Sequence, residues 1–587
     1  MAPYISTVKP GYFGKGSVEV IPPSNASEGG TRRLANTCET LITQPTAGVA
    51  TVYDVLQYST RVHGNHRALG WRDVIKVHEE KKEVKKVLGD KEVVETKTWK
   101  YFQLSDYKYI SFIEFEAMVA NVALTLLDLG LTPDHVFNIY AQTSMHWQLI
   151  AHACSSISTP IATAYDTLGE AGLTHALNEP ECIGIFTNAD LLKTVVNVLP
   201  NTPTVNFVFF DGDAPADLVA ALRNVRSEIQ VLSISTLLER GKTLSVVRSS
   251  VDSRRPTKDT LACIMYTSGS TGAPKGVCLT HGNLIASVGS VVHLFGHHLP
   301  ARGTYLAYLP LAHVLEYIVE LCALYTGVTL GYARPKTLTD TSVRGCRGDL
   351  AALRPNIMFG VPAVWETIRK SITASVVQGG WAKQMAFEAA MALKKEGVPV
   401  LGGIADNVVL SKVREATGGQ LVFTMNGGAA ISRETQDFLS LATVPMMQGT
   451  YLSSHLLVFN WEFEGYGMTE SCGMCTLLPP ELAAAGSVGL PVPSIEIKLL
   501  DVPSAGYYSK DAPPRGEICI RGPSVTKGYY KRPDLNSDEN IFTKDGWLRT
   551  GDVGQWNDDG TLSIIDRYVK NIISGFSTHL LQGKKSR

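Results

Sequence analysis

Residues 266–277 read Tyr-Thr-Ser-Gly-Ser-Thr-Gly-Ala-Pro-Lys-Gly-Val, and no other stretch says more about the fold. Its glycines let the backbone approach a ligand, its hydroxyl groups donate hydrogen bonds and its lysine supplies a positive charge, which together suit a polyphosphate. The apolar residues 261–265 before it predict a buried strand, and a strand that leads into a Gly-rich loop commonly presents a nucleotide site. The candidate phosphate-binding residues are Thr267, Ser268, Gly269, Ser270, Thr271, Gly272 and Lys275.

This stretch differs from a Walker A loop, because Ala273 and Pro274 stand before the lysine where that motif has glycine. A flexible Ser/Gly linker is the alternative interpretation. The strand pattern before the stretch and the Pro-Lys-Gly sequence that closes it favour a phosphate-binding loop.

Length and composition limit the class of protein. A chain of 587 residues exceeds what one hydrophobic core usually holds, so we expect two or more subdomains. The net charge of −1 does not indicate a nucleic-acid partner. The ten cysteines are scattered, which is typical of a reducing compartment, and we interpret Cys472 and Cys475 as packing residues rather than zinc ligands. We expect no signal peptide, because the first residues lack a charged-then-apolar pattern.

The first hundred residues show two local patterns. Residues 1–50 are rich in Pro, Gly, Ser and Thr, which predicts a weakly ordered lead-in. Residues 76–100 carry a run of charges with Gly89 and Asp90 at its centre, which predicts an exposed hairpin or loop insertion.

Two later segments predict helices. Ser111 and Glu114 form a capping box before an apolar pattern of helical spacing that ends at Gly130. Residues 306–332 are the longest apolar stretch, and because they contain acids such as Glu320, they predict a buried core helix rather than a membrane span.

The order of apolar runs predicts the fold class. Short apolar runs alternate with helical patterns, which is typical of α/β layers with largely parallel sheets. These runs are residues 136–140, 183–186, 205–210, 263–266 and 422–425. From about residue 490, apolar and polar residues alternate, which predicts a small antiparallel sheet or barrel. The sequence therefore predicts two αβ-layered subdomains to about residue 490 and a β-barrel-like subdomain over about 490–567.

The stretch 266–277 resembles the signature loop of the adenylate-forming superfamily, and four further motifs match that superfamily in the expected order. They are Asn-Gly-Gly-Ala-Ala at 426–430, Tyr-Gly-Met-Thr-Glu at 466–470, Trp-Leu-Arg-Thr-Gly-Asp at 547–552 and Ile-Ile-Asp-Arg at 564–567. The resemblance implies an adenylation (AMP-binding) domain over residues 51–567.

The resemblance also assigns roles to residues. It implies that Tyr466 stacks on adenine, that Thr469 contacts the α-phosphate, that Glu470 holds Mg²⁺, and that Asp552 and Arg567 bind the ribose. The other ATP-binding residues it implies are Gly427, Gly428, Ala429, Gly467 and Met468, and the catalytic residues are Lys275, His313, Thr469 and Glu470.

Several segments resemble long-chain fatty acyl-CoA synthetases of the fungal type. Among them are Thr-Trp-Lys-Tyr-Phe-Gln-Leu-Ser-Asp at 98–106 and Val-Pro-Ala-Val-Trp-Glu at 361–366. The family places the histidine of Leu-Pro-Leu-Ala-His beside the acyl site, so His313 is an expected acyl-pocket residue, and Tyr317 occupies the position of a gating aromatic.

The function implied is ATP-dependent activation of a long-chain fatty acid through an acyl-adenylate, with Mg²⁺ as cofactor and coenzyme A as co-substrate. The alternatives are a CoA ligase for another carboxylic acid and a protein that binds ATP or fatty acid without turnover. The resemblance also implies peripheral contact with the endoplasmic reticulum, lipid droplets or peroxisomes on their cytoplasmic face.

The chain departs from the family pattern in two places. Sixteen residues, 450–465, separate Met-Met-Gln-Gly at 446–449 from the tyrosine motif that should follow directly. After Arg567, residues 568–587 diverge, so we expect the family's C-terminal α+β cap domain to be absent and the activity to be impaired. We hypothesise that both departures come from intron sequence, which sequencing of the mature transcript tests.

Overall fold

The computed structural model describes residues 16–88, 91–244, 249–267, 274–300, 302–396, 406–427, 432–443, 465–479, 482 and 486–567. Some predicted features therefore lie outside the described residues. They are Ser268, Gly269, Ser270, Thr271, Gly272, Gly428, Ala429, residues 450–464 and the segment 568–587.

The strands of the described residues are numbered in chain order. They are β1 (Ser17–Ile21), β2 (Thr31–Leu34), β3 (Arg67–Trp71), β4 (Val74–Leu88), β5 (Lys91–Leu104), β6 (Lys108–Ser111), β7 (Phe137–Tyr140), β8 (Ile161–Ala164), β9 (Gly184–Asn188), β10 (Phe207–Asp211), β11 (Gln230–Ser233), β12 (Leu261–Thr267), β13 (Lys275–Thr280), β14 (Thr304–Ala307), β15 (Thr329–Tyr332), β16 (Ile357–Gly360), β17 (Phe423–Asn426), β18 (Gly465–Tyr466), β19 (Thr476–Leu477), β20 (Leu490–Pro491), β21 (Glu496–Leu500), β22 (Arg515–Arg521), β23 (Leu548–Trp556) and β24 (Leu562–Arg567).

The α-helices of the same residues are α1 (Val52–His63), α2 (Phe112–Asp128), α3 (Met145–Ser156), α4 (Glu170–Asn178), α5 (Leu192–Val198), α6 (Ala216–Val225), α7 (Ile234–Thr243), α8 (Ser249–Asp252), α9 (His281–Phe295), α10 (Val314–Thr326), α11 (Asp349–Leu353), α12 (Pro362–Gln378), α13 (Trp381–Lys395), α14 (Ser411–Arg414), α15 (Arg433–Ala442) and α16 (Pro533–Asn536).

A seven-stranded sheet carries the phosphate-loop segment. Its order is β11-β10-β9-β7-β8-β12-β13, and all neighbours are parallel except β12 and β13. The predicted apolar runs at 136–140, 183–186, 205–210 and 263–266 fall on β7, β9, β10 and β12. Helices follow most of these strands, as parallel neighbours require crossover connections.

A six-stranded sheet forms the second αβ layer, in the order β17-β16-β14-β15-β3-β6, and only β3 and β6 are antiparallel. Residues 306–332 were predicted to be one buried core helix, and this prediction is wrong. They contain the end of β14, then α10, then β15, because Pro310 starts a turn and Gly327 ends the helix in a left-handed conformation with a φ of +78°. The segment is a strand–helix–strand unit.

A second six-stranded sheet has the order β1-β2-β21-β22-β23-β24 and is antiparallel throughout. It contains the residues in which apolar and polar positions alternate after 490. The described part of residues 1–50 differs from the expected weakly ordered lead-in, because β1 and β2 extend this sheet. Arg33 pairs with Glu496 at 2.7 Å, and the guanidinium of Arg32 lies over the ring of Trp556.

Local signals agree with the elements that they predict. The capping box of Ser111 and Glu114 starts α2, and equivalent boxes start α1 and α9. β4 and β5 pair along their whole length as the predicted hairpin, with Leu88 opposite Lys91. The predicted α/β fold class with largely parallel sheets is confirmed.

Both parallel sheets contribute to one buried apolar cluster, which also contains residues of α1, α2, α3, α9 and α10. Among the described helices, none is long and apolar enough to cross a membrane.

Candidate active site

A cavity of about 510 Å³ opens at the carboxyl ends of the parallel strands β8 and β12, where open α/β sheets bind ligands. Three predicted site residues from distant parts of the chain line it: Thr267, His313 and Thr469. Its full lining is Thr163, Ala164, Tyr165, Leu168, Gly172, His175, Ala176, Tyr266, Thr267, Pro274, His313 and Thr469.

The candidate phosphate loop connects β12 to β13. β12 and β13 are antiparallel, and Thr267 and Lys275 are directly opposite each other at the loop ends. The Thr267 hydroxyl donates to the Lys275 carbonyl at 3.5 Å. Two rigid strands therefore hold both ends of the loop at the cavity, while Ser268, Gly269, Ser270, Thr271 and Gly272 lie outside the described residues.

Tyr529 links the loop to the predicted metal ligand. Its hydroxyl donates to a Glu470 carboxylate oxygen at 2.8 Å, and the Lys275 ammonium lies 5.6 Å from its ring centroid. Burial raises the pKa of Tyr529, and the Glu470 charge raises it further, so the hydroxyl keeps its proton and acts as a donor. The sequence motifs did not identify Tyr529, and no signal in them could have done so.

Backbone bonds hold this arrangement in place. The Tyr530 N–H donates to the Gly276 carbonyl at 2.8 Å, and the Thr526 N–H donates to the Glu470 carbonyl at 2.7 Å. The segment that carries Tyr529 is thus joined both to β13 and to the turn that carries Glu470. Glu470 is only 7% exposed, and its buried carboxylate requires a partner such as the Tyr529 hydroxyl that these bonds hold in place.

Tyr466, Asp552 and Arg567 form a second cluster. The Tyr466 hydroxyl donates to Asp552 Oδ2 at 2.7 Å, and Arg567 Nε lies 3.2 Å from Asp552 Oδ1. Asp552 on β23 and Arg567 on β24 are direct cross-strand neighbours, which explains why two residues of separate motifs meet. Both oxygens of Asp552 have protein partners, so a ribose would have to share or displace them. Burial raises the pKa of Tyr466 well above its ordinary value.

His313 and Tyr317 lie in different environments. His313 caps α10, with its side chain accepting from the Leu315 N–H at 3.2 Å, and faces the cavity. The surrounding protein atoms exclude water from the imidazole, and this desolvation lowers the pKa of His313. Tyr317 is 1% exposed, packs edge-on to Trp147 with ring centroids 5.5 Å apart, and is not among the residues that line this cavity. Its role in the acyl pocket stays a prediction.

The remaining predicted residues have structural constraints. A Cβ on Gly467 would lie 2.1 Å from the Gly473 carbonyl oxygen, so chain packing alone requires glycine there. The Met468 N–H donates to the Ser471 hydroxyl at 3.2 Å, in the turn that brings Thr469 to the cavity. The Gly427 N–H donates to the Gly360 carbonyl at 2.9 Å, at the end of β17.

The site combines a loop with hydroxyl groups and one lysine, a buried carboxylate and a cavity with apolar walls. Its donors and its cation suit phosphate oxygens, and among the described residues of the site no side chain is arranged as a covalent nucleophile with an adjacent base. The buried Cys472 and Cys475 are no exception, because burial raises the pKa of both thiols.

Known proteins resemble the chain along most of its length. A model of the AMP-binding enzyme family matches residues 85–530. Long-chain-fatty-acid–CoA ligase 2 of Schizosaccharomyces pombe is 39% identical over 543 residues, which cover 92% of this chain and 75% of that protein. Long-chain-fatty-acid–CoA ligase 1 of Saccharomyces cerevisiae is 36% identical over 553 residues, which cover 91% and 75%.

Solved structures share the fold at lower identity. The adenylation domain of a carboxylate reductase from Mycobacterium chelonae is 22% identical, with a TM-score of 0.65, and the match covers 89% of this chain and 74% of that one. The motif order, the fold and the extent of these matches agree, and this chain belongs to the AMP-binding enzyme family.

Proposed function

We propose that this chain activates long-chain fatty acids with ATP and transfers the acyl group to coenzyme A. The carboxylate attacks the α-phosphorus of ATP to give acyl-adenylate and pyrophosphate, and the thiol of coenzyme A then displaces AMP. The observation that carries this proposal is the cavity in which Thr267 and Pro274 of the phosphate loop, Thr469 and His313 meet. The names of the fungal relatives support the acid as a long-chain fatty acid.

The side chains of this site bind and position rather than react covalently. Lys275 supplies a positive charge for the phosphates, and Thr267 and Thr469 donate hydrogen bonds from the lining of the cavity. Tyr466 and Asp552 form one surface for the nucleoside, and His313 lies where the carboxylate of the acid would enter.

A magnesium ion fits the residues present. Mg²⁺ is commonly held by one or two carboxylates together with substrate phosphates and water. Glu470 supplies one hard oxygen donor, and the described residues contain no cluster of three or more ligands for an all-protein site. Bound there with ATP, the ion would neutralise charge on the phosphate oxygens.

ATP–pyrophosphate exchange tests the proposal. We expect exchange with palmitate, less with octanoate or benzoate, and palmitoyl-CoA when coenzyme A is added. Lys275→Ala should lower exchange about 10²-fold, because one stabilising charge on the transition state is lost. Lys258→Ala, which removes an exposed lysine away from the cavity, is the matched control.

The outcomes of this assay separate the alternatives. Exchange driven best by a short or aromatic acid would replace the long-chain assignment with another CoA ligase. ATP binding without exchange for any acid would show a protein that binds without turnover. We propose that the insertion at 450–465 slows the reaction, since it directly precedes Tyr466.

We also propose peripheral contact with a membrane on the cytoplasmic face of the endoplasmic reticulum, lipid droplets or peroxisomes. Supporting it, Val377, Trp381 and Met385 at the α12–α13 turn are exposed, with Trp381 77% exposed, and Lys383 lies beside them. Trp381→Glu should lower flotation with anionic liposomes, and unchanged flotation would contradict this contact.

A further inference from the structure

Residues 309–313 form the turn that connects β14, in the second αβ layer, to α10, and this turn brings His313 into the lining of the cavity. Within the turn, the His313 N–H donates to the Pro310 carbonyl at 2.9 Å. The backbone groups of a turn need such partners if the turn is to keep one conformation. Two threonines of the seven-stranded sheet supply further partners from across the cavity.

Thr143 lies between β7 and α3, and its hydroxyl makes two hydrogen bonds to the turn. It donates to the Leu309 carbonyl at 2.6 Å and accepts from the Leu311 N–H at 2.9 Å. A hydroxyl can donate and accept at the same time, so both bonds can form together. The two bonded residues flank Pro310, and one side chain therefore fixes the backbone on both sides of that proline.

Thr163 makes a third bond to the same turn. It is the next-to-last residue of β8, is 2% exposed and lines the cavity. Its hydroxyl donates to the Ala312 carbonyl at 3.2 Å, directly before His313. Three hydrogen bonds thus tie the turn to the carboxyl ends of β7 and β8, where the two αβ layers meet at the cavity.

The position of His313 follows from the position of this turn. Its imidazole accepts from the Leu315 N–H at 3.2 Å, so the ring is held by the first turn of α10. A Cβ on Gly473 would lie 3.5 Å from the Leu315 Cα, which shows that the start of α10 also packs against the turn that carries Thr469. A displacement of residues 309–313 would therefore move His313 relative to Thr469.

We propose that Thr143 and Thr163 are positioning residues for the acid substrate. They act through the turn 309–313 and hold His313 where the carboxylate of the acid binds. The inference rests on the proposed fatty-acid activation and adds two residues that the sequence motifs leave out. Small displacements matter in such a site, because a misplacement of about 1 Å can slow a reaction about 10²-fold.

The KM values of the full chain for palmitate and for ATP, measured by ATP–pyrophosphate exchange, test the proposal. Thr143→Val keeps the shape of the side chain and removes both of its hydrogen bonds to the turn. It should raise the KM for palmitate about tenfold and leave the KM for ATP unchanged. Thr143→Ser keeps the hydroxyl and should restore the wild-type KM for palmitate. A mere loss of folded protein would lower the rate at saturation and change neither KM.

Thr204→Val is the matched control. The Thr204 hydroxyl donates to the Cys182 carbonyl at 3.0 Å, before the amino ends of β9 and β10, and its loss should change neither KM. If Thr143→Val does not fold, Thr163→Val, which removes one bond instead of two, is measured in the same way.

A double-mutant cycle with His313→Ala tests whether the threonine acts through the histidine. In the His313→Ala chain, Thr143→Val should raise the KM for palmitate no further. The same increase with and without His313, or an unchanged KM for palmitate in both valine variants, would overturn the inference alone. A wild-type chain that shows exchange with no acid would overturn the proposed function, and the inference with it.

Discussion

The Tyr529 hydroxyl donates a hydrogen bond of 2.8 Å to the buried carboxylate of Glu470, and its ring lies beside the Lys275 ammonium. One phenol thus contacts two residues that the motifs assign to phosphate and metal. At the scale of single residues, we expect the site to depend on such supporting groups as well as on the motif residues, because a buried charge without a partner is costly.

Tyr529→Phe should therefore lower both stability and activity. It removes only the hydroxyl and leaves a Glu470 oxygen without its donor, which costs about 1–3 kcal/mol of unfolding free energy. Urea unfolding and ATP–pyrophosphate exchange measure the two effects. Tyr530→Phe removes the neighbouring hydroxyl, which is not bonded to Glu470, and serves as the control. Equal exchange rates in the two variants would contradict the role of Tyr529.

At the scale of elements, the helix α10 carries two buried carboxyl groups. Its Glu316 and Glu320 are 1% and 0% exposed and lie one turn apart. Glu316 accepts from the Tyr305 hydroxyl at 2.6 Å, and Glu320 accepts from the Tyr332 hydroxyl at 2.8 Å. Burial raises the pKa of both carboxyls, that of Glu320 to about 8, and the charge of Glu320 raises that of Glu316 further.

This pair should make stability depend on pH. The folded state keeps protons on these carboxyls that the unfolded chain releases above a pH of about 4.5. Their contribution to the free energy of unfolding is therefore full below that pH and is lost as pH rises to about 8. Glu320→Gln cannot ionise and should flatten the fall in melting temperature between pH 5 and pH 8. The exposed substitution Glu239→Gln should leave the wild-type slope. Parallel slopes in wild type and Glu320→Gln would refute this origin of the pH dependence.

The last residue of the insertion at 450–465 is Gly465, which is also the first residue of β18. Gly465 pairs with Leu477, and a Cβ there would lie 2.9 Å from the Leu477 side chain, so glycine suits the position. Deletion of residues 450–465 places Gly449 directly before Tyr466 and so supplies another glycine.

We expect this deletion to raise ATP–pyrophosphate exchange at least several-fold, because the chain before Tyr466 then has the length of the family motif. A deletion of equal length in the hairpin of β4 and β5, residues 82–97, is the control for shortening alone. Lower exchange after removal of 450–465 would show that the insertion supports the site.

At the scale of the whole molecule, Asn283 on α9 joins the αβ layers to the β-rich part. Its side-chain oxygen completes the capping box of α9, and its amide donates to the carbonyls of Pro523 and Val525 at 2.8 and 3.1 Å. These carbonyls lie a few residues before Tyr529, so the joint also supports the site.

Asn283→Ala should lower unfolding free energy by about 1–3 kcal/mol, since two carbonyls lose a donor. Asn283→Asp keeps an oxygen for the helix cap and removes only the amide donor. If the hydrogen bonds from the Asn283 amide to the β-rich part support the site, ATP affinity falls in both variants. If only the cap matters, Asn283→Asp retains wild-type affinity, and the link between the layers is refuted.

Much of the fold could be read locally. The capping box at Ser111 starts α2, and the apolar run at 263–266 lies on β12. These signals work because a helix start or a buried strand depends on neighbouring residues. The βαβ unit at 306–332 was predicted as one helix, because apolar runs do not distinguish a buried helix from a buried strand. The secondary structure changes near Pro310 and at Gly327.

Motif order identified the family and predicted the phosphate-binding residues, because such loops need glycine, hydroxyl groups and lysine at fixed spacing. It could not identify partners that are distant in sequence. Tyr529 at Glu470, Glu179 at Tyr266 and the pairing of Asp552 with Arg567 depend on strand register and packing, and these arise only when the sheets assemble. The short motifs therefore supply the residue types that the predicted chemistry needs. The hydrogen bonds and ion pairs that position these residues come from the tertiary structure.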